Sequence, residues 1–450
     1  MLCLTEVLRV GTPDERAQAR RHAEAALLLL QDSRLTYTLP RAEYAVAMGA
    51  AAQGNIAEAA DLFARSLDSA RRGGNRILEP LLLMNLGVAQ ARLGNPADAA
   101  GFYRDSSRLY EALGDERRAA QQQANSAALQ IDYGEEPAAA LRDVQNALAV
   151  FEKLGDRNFE AFCRQVIAAY YRHTGHYREA ERELGRAMAI LRERNLEDDI
   201  ASLTLDRARL AIETANYAAA IRLLEETVRE DGPYSTPARI HLARARSRAG
   251  DGAGARAALS AVSADVGEGS ELLALLLLVS AEVAAEAGRL DEARALFGRS
   301  ATLWTAQMPD VASVEARAEA GFLDAQRGHP GGRAAIQSSL EQARNMERPA
   351  LEARCRLLLA RLDLAGRRFA EAMRALDGIP PDEGGRLLGP ELRAQVQFWR
   401  AAALAGLGRD ADAQRERAAA REVIDGLRAS LPEPDRARFA ARPDIRRILG

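Results

Sequence analysis

Apolar positions along this chain fall in stripes with helical spacing, each about one helix long, with polar residues between them. Leu83, Leu86, Gly87, Ala89 and Leu93 form one stripe, and Ala99, Phe102, Tyr103, Ser106 and Leu109 form the next. Spacings of three and four residues place each set on one side of a helix. The two predicted helices are separated by "LGNPADAA", in which Gly94 stops the first and small residues open the second. The same mark returns at Gly54, Gly134, Gly175, Gly250, Gly288, Gly328, Gly366 and Gly408, with Ala215 in the glycine place of a further copy. Successive marks lie about 39 residues apart on average, a period that signals a repeat architecture.

One unit of the pattern explains its parts. The glycine ends the first helix in a left-handed turn that a side chain would disfavour. Ala59, Ala99, Ala180, Ala220 and Ala293 sit early in the second helix, where small side chains allow the two helices to approach closely. A second turn joins one unit to the next, and it is written twice in register: "LYEALGDERRAA" from Leu109 and "VFEKLGDRNFEA" from Val150. In these copies Gly114 and Gly155 end a helix, and Asp115 and Asp156 are placed to cap the following one. An antiparallel helix pair cannot bury both of its apolar stripes alone, so neighbouring pairs must stack on it. The expected fold is therefore all-α, a solenoid of stacked antiparallel helix pairs.

The stretch "LLLMNLGVAQARLGNPADAAGFYRDSSRLY" resembles a tetratricopeptide repeat, through Leu86, Gly87, Gly94, Ala99, Tyr103 and Ser106 in the place of the usual alanine. The period near 40 residues and the "LGD" between units are similar to the longer variety of this repeat in bacterial signalling proteins. Those include sensor domains of ATP-dependent transcription activators and the tails of repeat-bearing protein kinases. The resemblance covers about residues 41–428, best in the second and fourth units and least in the sixth, eighth and ninth. It implies a right-handed superhelix that binds extended peptides on a concave surface lined by the first helix of each unit.

This register divides the chain into a partial or capping repeat at 1–40, about ten helix pairs over 41–428 and a capping segment at 429–450. Near the start, "DERAQARRHAEAALLLLQDS" reads as a second helix preceded only by "MLCLTEVLRV" as a stunted first one. That start implies a capped array or the C-terminal part of something longer. At the other end, Pro432 and Pro434 break the pattern, and Leu431, Phe439, Ile445 and Leu449 are expected to fold back as a lid on the last helix.

Composition narrows the function. Of 450 residues, 48% are apolar but only 5% aromatic, which suits close-packed helices better than sheets. The net charge of −3 lacks the basic excess of a nucleic-acid binder. No segment is apolar enough to span a bilayer, since Glu282 and Glu286 interrupt the longest run. Three widely spaced cysteines imply no disulfide framework, so a cytoplasmic setting is expected. Lys153 is the only lysine, and its surroundings exclude a phosphate-binding loop of the Walker type. His173 and His176 form a His-x-x-His without further ligands, at a turn expected to be exposed. No enzyme activity, metal or cofactor is therefore expected.

What remains is the groove that the resemblance implies. Its positions carry over to Arg41, Tyr44 and Met48, to Met84, Asn85, Val88 and Arg92, and to Gln121 and Asn125. In later units they fall on Gln165, Arg172, Arg209, Arg244 and Arg248. Asn85 and Asn125 occupy equivalent places, where such repeats use an amide to hold a peptide backbone. The arginine run points to an acidic or phosphorylated protein or peptide ligand. Two functions follow as expectations: a scaffold for protein–protein interaction, or a sensor module of a bacterial signalling protein that binds an effector.

Overall fold

The computed structural model describes residues 12–31, 38–134, 136–229, 232–262, 266, 271–303, 311–379 and 387–450. Among them there are 23 helices and no strand. Helix α1 (Pro13–Gln31) is the lone helix read from "DERAQARRH", whereas the stunted helix expected from "MLCLTEVLRV" lies outside the described residues. Ten helix pairs follow, at the marks read from the sequence. They divide into two compact units, residues 1–134 with 138–163 and residues 135–137 with 164–450.

The first unit holds α1 and three pairs: Leu39–Ala52 with Ile56–Arg72, Glu79–Arg92 with Pro96–Ala112, and Glu116–Tyr133 with Pro137–Leu154. The helix Arg157–His173, which opens repeat four, begins in the first unit and ends in the second. Its partner is Tyr177–Arg194, and repeats five to seven follow as Glu197–Glu213 with Tyr217–Arg229, Ser235–Arg248 with Gly252–Ser260, and Glu271–Glu286 with Leu290–Thr302. Repeats eight to ten are Val311–Gln326 with Gly332–Asn345, Pro349–Ala365 with Phe369–Asp377, and Pro390–Gly406 with Asp410–Ser430. The second helices of repeats six and nine have only 9 residues, against 17 or 18 in repeats one to four. Those short helices coincide with two of the weakest copies of the sequence pattern.

Seven of the marking glycines take a positive φ between 75° and 90°, and Ala215 accepts φ 58° in the same place. Two marks differ. Gly134 has φ −82°, and at Gly366 the left-handed turn falls one residue later, on Arg367. All five alanines expected at the closest helix approach are fully buried. At Gly87 a Cβ would lie 2.7 Å from the Tyr103 ring, so these two residues set the approach within repeat two. Serines fasten the pairs as well. The hydroxyls of Ser66, Ser106 and Ser300 donate to the carbonyls of Pro40, Pro80 and Ala274 at 2.7–2.8 Å, each 26 residues back. Such a bond contributes on the order of 1 kcal/mol.

The duplicated turn shows why its two copies are alike. Asp115 accepts from the Arg118 amide at 3.0 Å, and Asp156 from the Phe159 amide at 3.4 Å, so both cap as expected. The copies also touch one another. Arg117 pairs with Asp156 at 2.6 Å and lies over the Phe159 ring, while Glu116 meets Lys153 at 3.1 Å. Identical turns stacked one repeat apart present matching side chains to each other, so both copies face the same local constraints.

The chain's end does more than cover the last helix. Leu431, Phe439, Ile445 and Ile448 are buried with Ala420 and Ile424 of repeat ten, and in the same cluster with Ala215, Tyr217 and Ala249 of repeats five and six.

Candidate functional site

All fourteen candidate side chains lie on first helices of the repeats. The first unit carries nine of them. Tyr44, Met48, Met84, Asn85, Gln121 and Asn125 are half-buried, and Arg41, Val88 and Arg92 are exposed. Burial raises the Tyr44 hydroxyl's pKa, and a hydrogen bond to the Asn85 amide links repeat one to repeat two. The Asn85 amide donates to the Leu81 carbonyl at 2.8 Å, and that of Asn125 to the Gln122 side chain at 3.4 Å. The two equivalent amides are thus also held by their own helices, at a face where apolar and polar groups alternate.

The second unit arranges its five candidates differently. Gln165 donates to Ser202 at 3.2 Å and to Asp206 at 2.6 Å, and Arg209 lies 3.6 Å from Asp206. Arg172 pairs with Glu213 at 2.7 Å, one repeat on. Arg244 meets Glu282 at 2.8 Å and Glu315 at 3.1 Å; Arg248 meets Glu282 at 3.4 Å and Glu391 at 3.5 Å. Glu315 also holds Arg354 at 2.5 Å, and Glu391 holds Arg442 at 2.8 Å and the Tyr217 hydroxyl at 2.5 Å. The network runs without a break from Arg354 through Glu391 along the first helices of repeats six to ten, and on to Arg442 in the C-terminal segment.

Burial decides what these pairs mean. Glu282, Glu315, Glu391 and Arg442 are each at most 8% exposed. Burial alone would raise the Glu391 carboxyl, but Arg442 and Arg248 outweigh it and bring its pKa to about 2. Glu315 is likewise brought to about 2 by Arg354 and Arg244 against the effect of burial. Both therefore stay ionised, and their partners cannot leave without stranding a buried charge. The arginine run read as a site for an acidic ligand has carboxylates already, and apart from Asp206 and Glu213 they come from repeats further along the same chain. An incoming acid would have to displace them.

Two histidines complete this face. His176 is exposed as expected, but His173 is not. Its ring meets the Arg172 guanidinium at 3.1 Å. Burial, then Arg348, Arg172 and Arg209, hold its pKa well below the usual value. His241 is depressed by burial and by Arg209, Arg244 and Arg172. No group of three metal-ligating side chains occurs among the described residues. Cys163 and Cys355 are buried thiols, and burial pushes Cys355 up to about 12, far from a reactive thiolate.

The sequence contained a signal for the missed carboxylates. In the shared register the charge on the first helices is positive in repeats four to six, at Arg172, Arg209, Arg244 and Arg248. It turns negative in repeats seven and eight, at Glu282, Glu286, Glu315 and Glu319. Charged residues inside apolar stripes such as "LLALLLLVSAEVAAE" need partners when buried, and the change of sign points to them.

A model of the tetratricopeptide repeat matches residues 38–112, and a second model of the same repeat matches residues 211–278. Both matched segments are tetratricopeptide repeats. The first match covers repeats one and two, and the second runs from the end of the first helix of repeat five into repeat seven. Neither is a model of an enzyme family. Curated proteins give no match. Among solved structures, this repeat protein is similar to a chain of the APC/C hetero-tetramer Cut9-Hcn1, with 12% identity and a TM-score of 0.47 over 100% of this chain and 94% of that one. No described helix is long and apolar enough to cross a membrane.

Proposed function

We propose that this protein is a non-enzymatic interaction scaffold whose partner docks on the first-helix face of repeats one to three. The observation that carries the reading is the contrast between the two sets of candidates. Tyr44, Met48, Met84, Asn85, Gln121 and Asn125 present apolar, phenolic and amide groups at half-exposed positions beside the exposed Val88 and Arg92, a composition suited to a peptide segment held by shallow contacts. The arginines of repeats four to six are already neutralised by their own chain. In this reading the partner contributes apolar side chains for Met48, Met84 and Val88, backbone groups for Asn85 and Asn125, and an acidic group for Arg92.

The test compares capture of a partner by the wild-type chain with capture by Met84→Glu/Val88→Glu and by Arg209→Glu, each verified as folded by circular dichroism. Loss of the partner with the first variant alone supports the proposal. Loss with Arg209→Glu alone returns the acidic-ligand reading of the arginine run, and retention by both variants places the contact elsewhere.

A further inference from the structure

The C-terminal segment does not merely close the array. Beyond repeat ten the chain turns through Asp435–Ala441 and Pro443–Leu449 and lays Phe439, Arg442 and Ile445, three residues apart, against groups contributed by repeats five, six and ten. Phe439 is fully buried, with its ring 6.4 Å from that of Tyr217. Arg442 donates to both oxygens of Glu391, at 2.8 and 3.2 Å, and to the Arg248 carbonyl at the end of the first helix of repeat six. Asp444 holds the same guanidinium at 2.9 Å and accepts from Gln395 at 3.2 Å. Ile445 is fully buried in the same cluster. At Gly250 any side chain would collide with the backbone of Arg438, so the turn of repeat six is shaped to let the segment in.

This is the anatomy of a bound peptide. An aromatic anchor and an aliphatic anchor flank a cation that enters a preformed acceptor set, as at the centre of a protein interface. Two features bear on how firmly the seat is held. A cavity of about 210 Å³ remains beside it, lined among others by Ser247, Val283, Glu286, Arg438 and Arg442. The Nε–H of Arg442 is buried there without an acceptor. The contact leaves space and an unmet donor, and both lower the free energy that holds it shut.

We infer that repeats five, six and ten form a receptor for a Phe-x-x-Arg-x-x-Ile segment that bends at the arginine between two short helices, and that the chain's own residues 439–445 occupy it as an exchangeable internal ligand. A partner presenting an aromatic residue, an arginine and a branched aliphatic residue at the same spacing competes for the seat. The inference rests on residues separate from those of the proposed scaffold face, so the two stand or fall independently.

The test starts from the intact folded chain with a protease site placed at Pro432–Glu433, cut after folding. The tail should stay bound at first. A fluorescent peptide with the sequence of residues 431–450 should then replace it, as read by anisotropy and by release of the native tail. The same peptide carrying Arg442→Glu should bind at least tenfold more weakly, and Glu391→Gln in the receptor should weaken the wild-type peptide by a similar factor. A tail that neither peptide displaces, or a chain that unfolds on cutting, would make the segment a permanent structural cap and overturn the inference. Equal binding of both peptides would overturn the reading of the arginine, and immediate loss of the tail with no rebinding would remove the receptor.

Discussion

Repeats one to three and repeats five to ten are built by the same turns, yet they treat their first-helix faces in opposite ways. In the first unit Asn85 bonds to a carbonyl four residues back and Asn125 to a side chain three residues back, and the one longer link, from Tyr44 to Asn85, reaches only the next repeat. In the second unit the same face carries arginines whose partners lie 38, 71 and 143 residues along the chain. The repeat motif fixes how helices pair and stack. It leaves the exposed positions of the first helix open, and the charges placed there decide whether that face meets solvent or the chain itself.

The comparison is broken most directly by removing a carboxylate from the network. Glu391→Ala leaves Arg442 and Arg248 without their shared partner, and should destabilise the second unit by about 3–5 kcal/mol. Hydrogen exchange read by mass spectrometry should show faster exchange across residues 212–250 and 435–449 and no change across residues 39–112. Equal loss in both regions would mean that the units do not unfold separately. Next in size is Ala99→Asp, which forces a charge into the closest helix approach of repeat two and should lower stability by about 2–4 kcal/mol. Here the exchange should rise in residues 79–112 instead. Removing the serine staple, by Ser106→Ala, should cost about 1 kcal/mol and a few degrees in the thermal melt. Smallest of all, Arg92→Ala should change stability by no more than about 0.5 kcal/mol, in contrast with the buried arginines of the second unit.

Acid sharpens the same contrast. Glu315 and Glu391 have depressed pKa values in the fold, so their contribution is complete above the ordinary carboxylate value near 4.3 and is lost as pH falls towards about 2. His173 and His241, also depressed, favour the folded chain only while neutral, so stability begins to fall earlier, as pH drops through about 6.5. Glu286 and Glu319, raised by burial, act in the opposite sense and gain on acidification. Exchange measured between pH 4.5 and 2.5 should therefore rise in residues 235–326, and Glu391→Gln should flatten that dependence. An unchanged slope in the variant would remove Glu391 as its source.

Much of this architecture was legible in the residues, because a helix turn that needs positive φ or a missing Cβ leaves a mark that composition cannot hide. Gly54, Gly94, Gly175 and Gly288 located their turns, and even Ala215 could be placed by its neighbours. The register also put every candidate side chain on a first helix. What it could not supply was the partner of each one. Arg172, Arg244 and Arg248 look like solvated or ligand-binding cations when each repeat is read alone. The carboxylates that meet them lie one to four repeats later in the chain. Local periodicity dictates helices and neighbours. Contacts between repeats two or more apart depend on how the second unit curves, which no single repeat encodes.

The length of the ion network has a consequence for synthesis. A solenoid held by nearest-neighbour seams can fold repeat by repeat as it leaves the ribosome. In the second unit, Arg248 emerges 143 residues before Glu391, and its carbonyl waits 194 residues for Arg442. During that interval Arg248 has Glu282 as a carboxylate partner but not yet Glu391. Any early contact it makes with an acidic partner, chaperone or nucleic acid has to be surrendered when the final turn of the chain arrives.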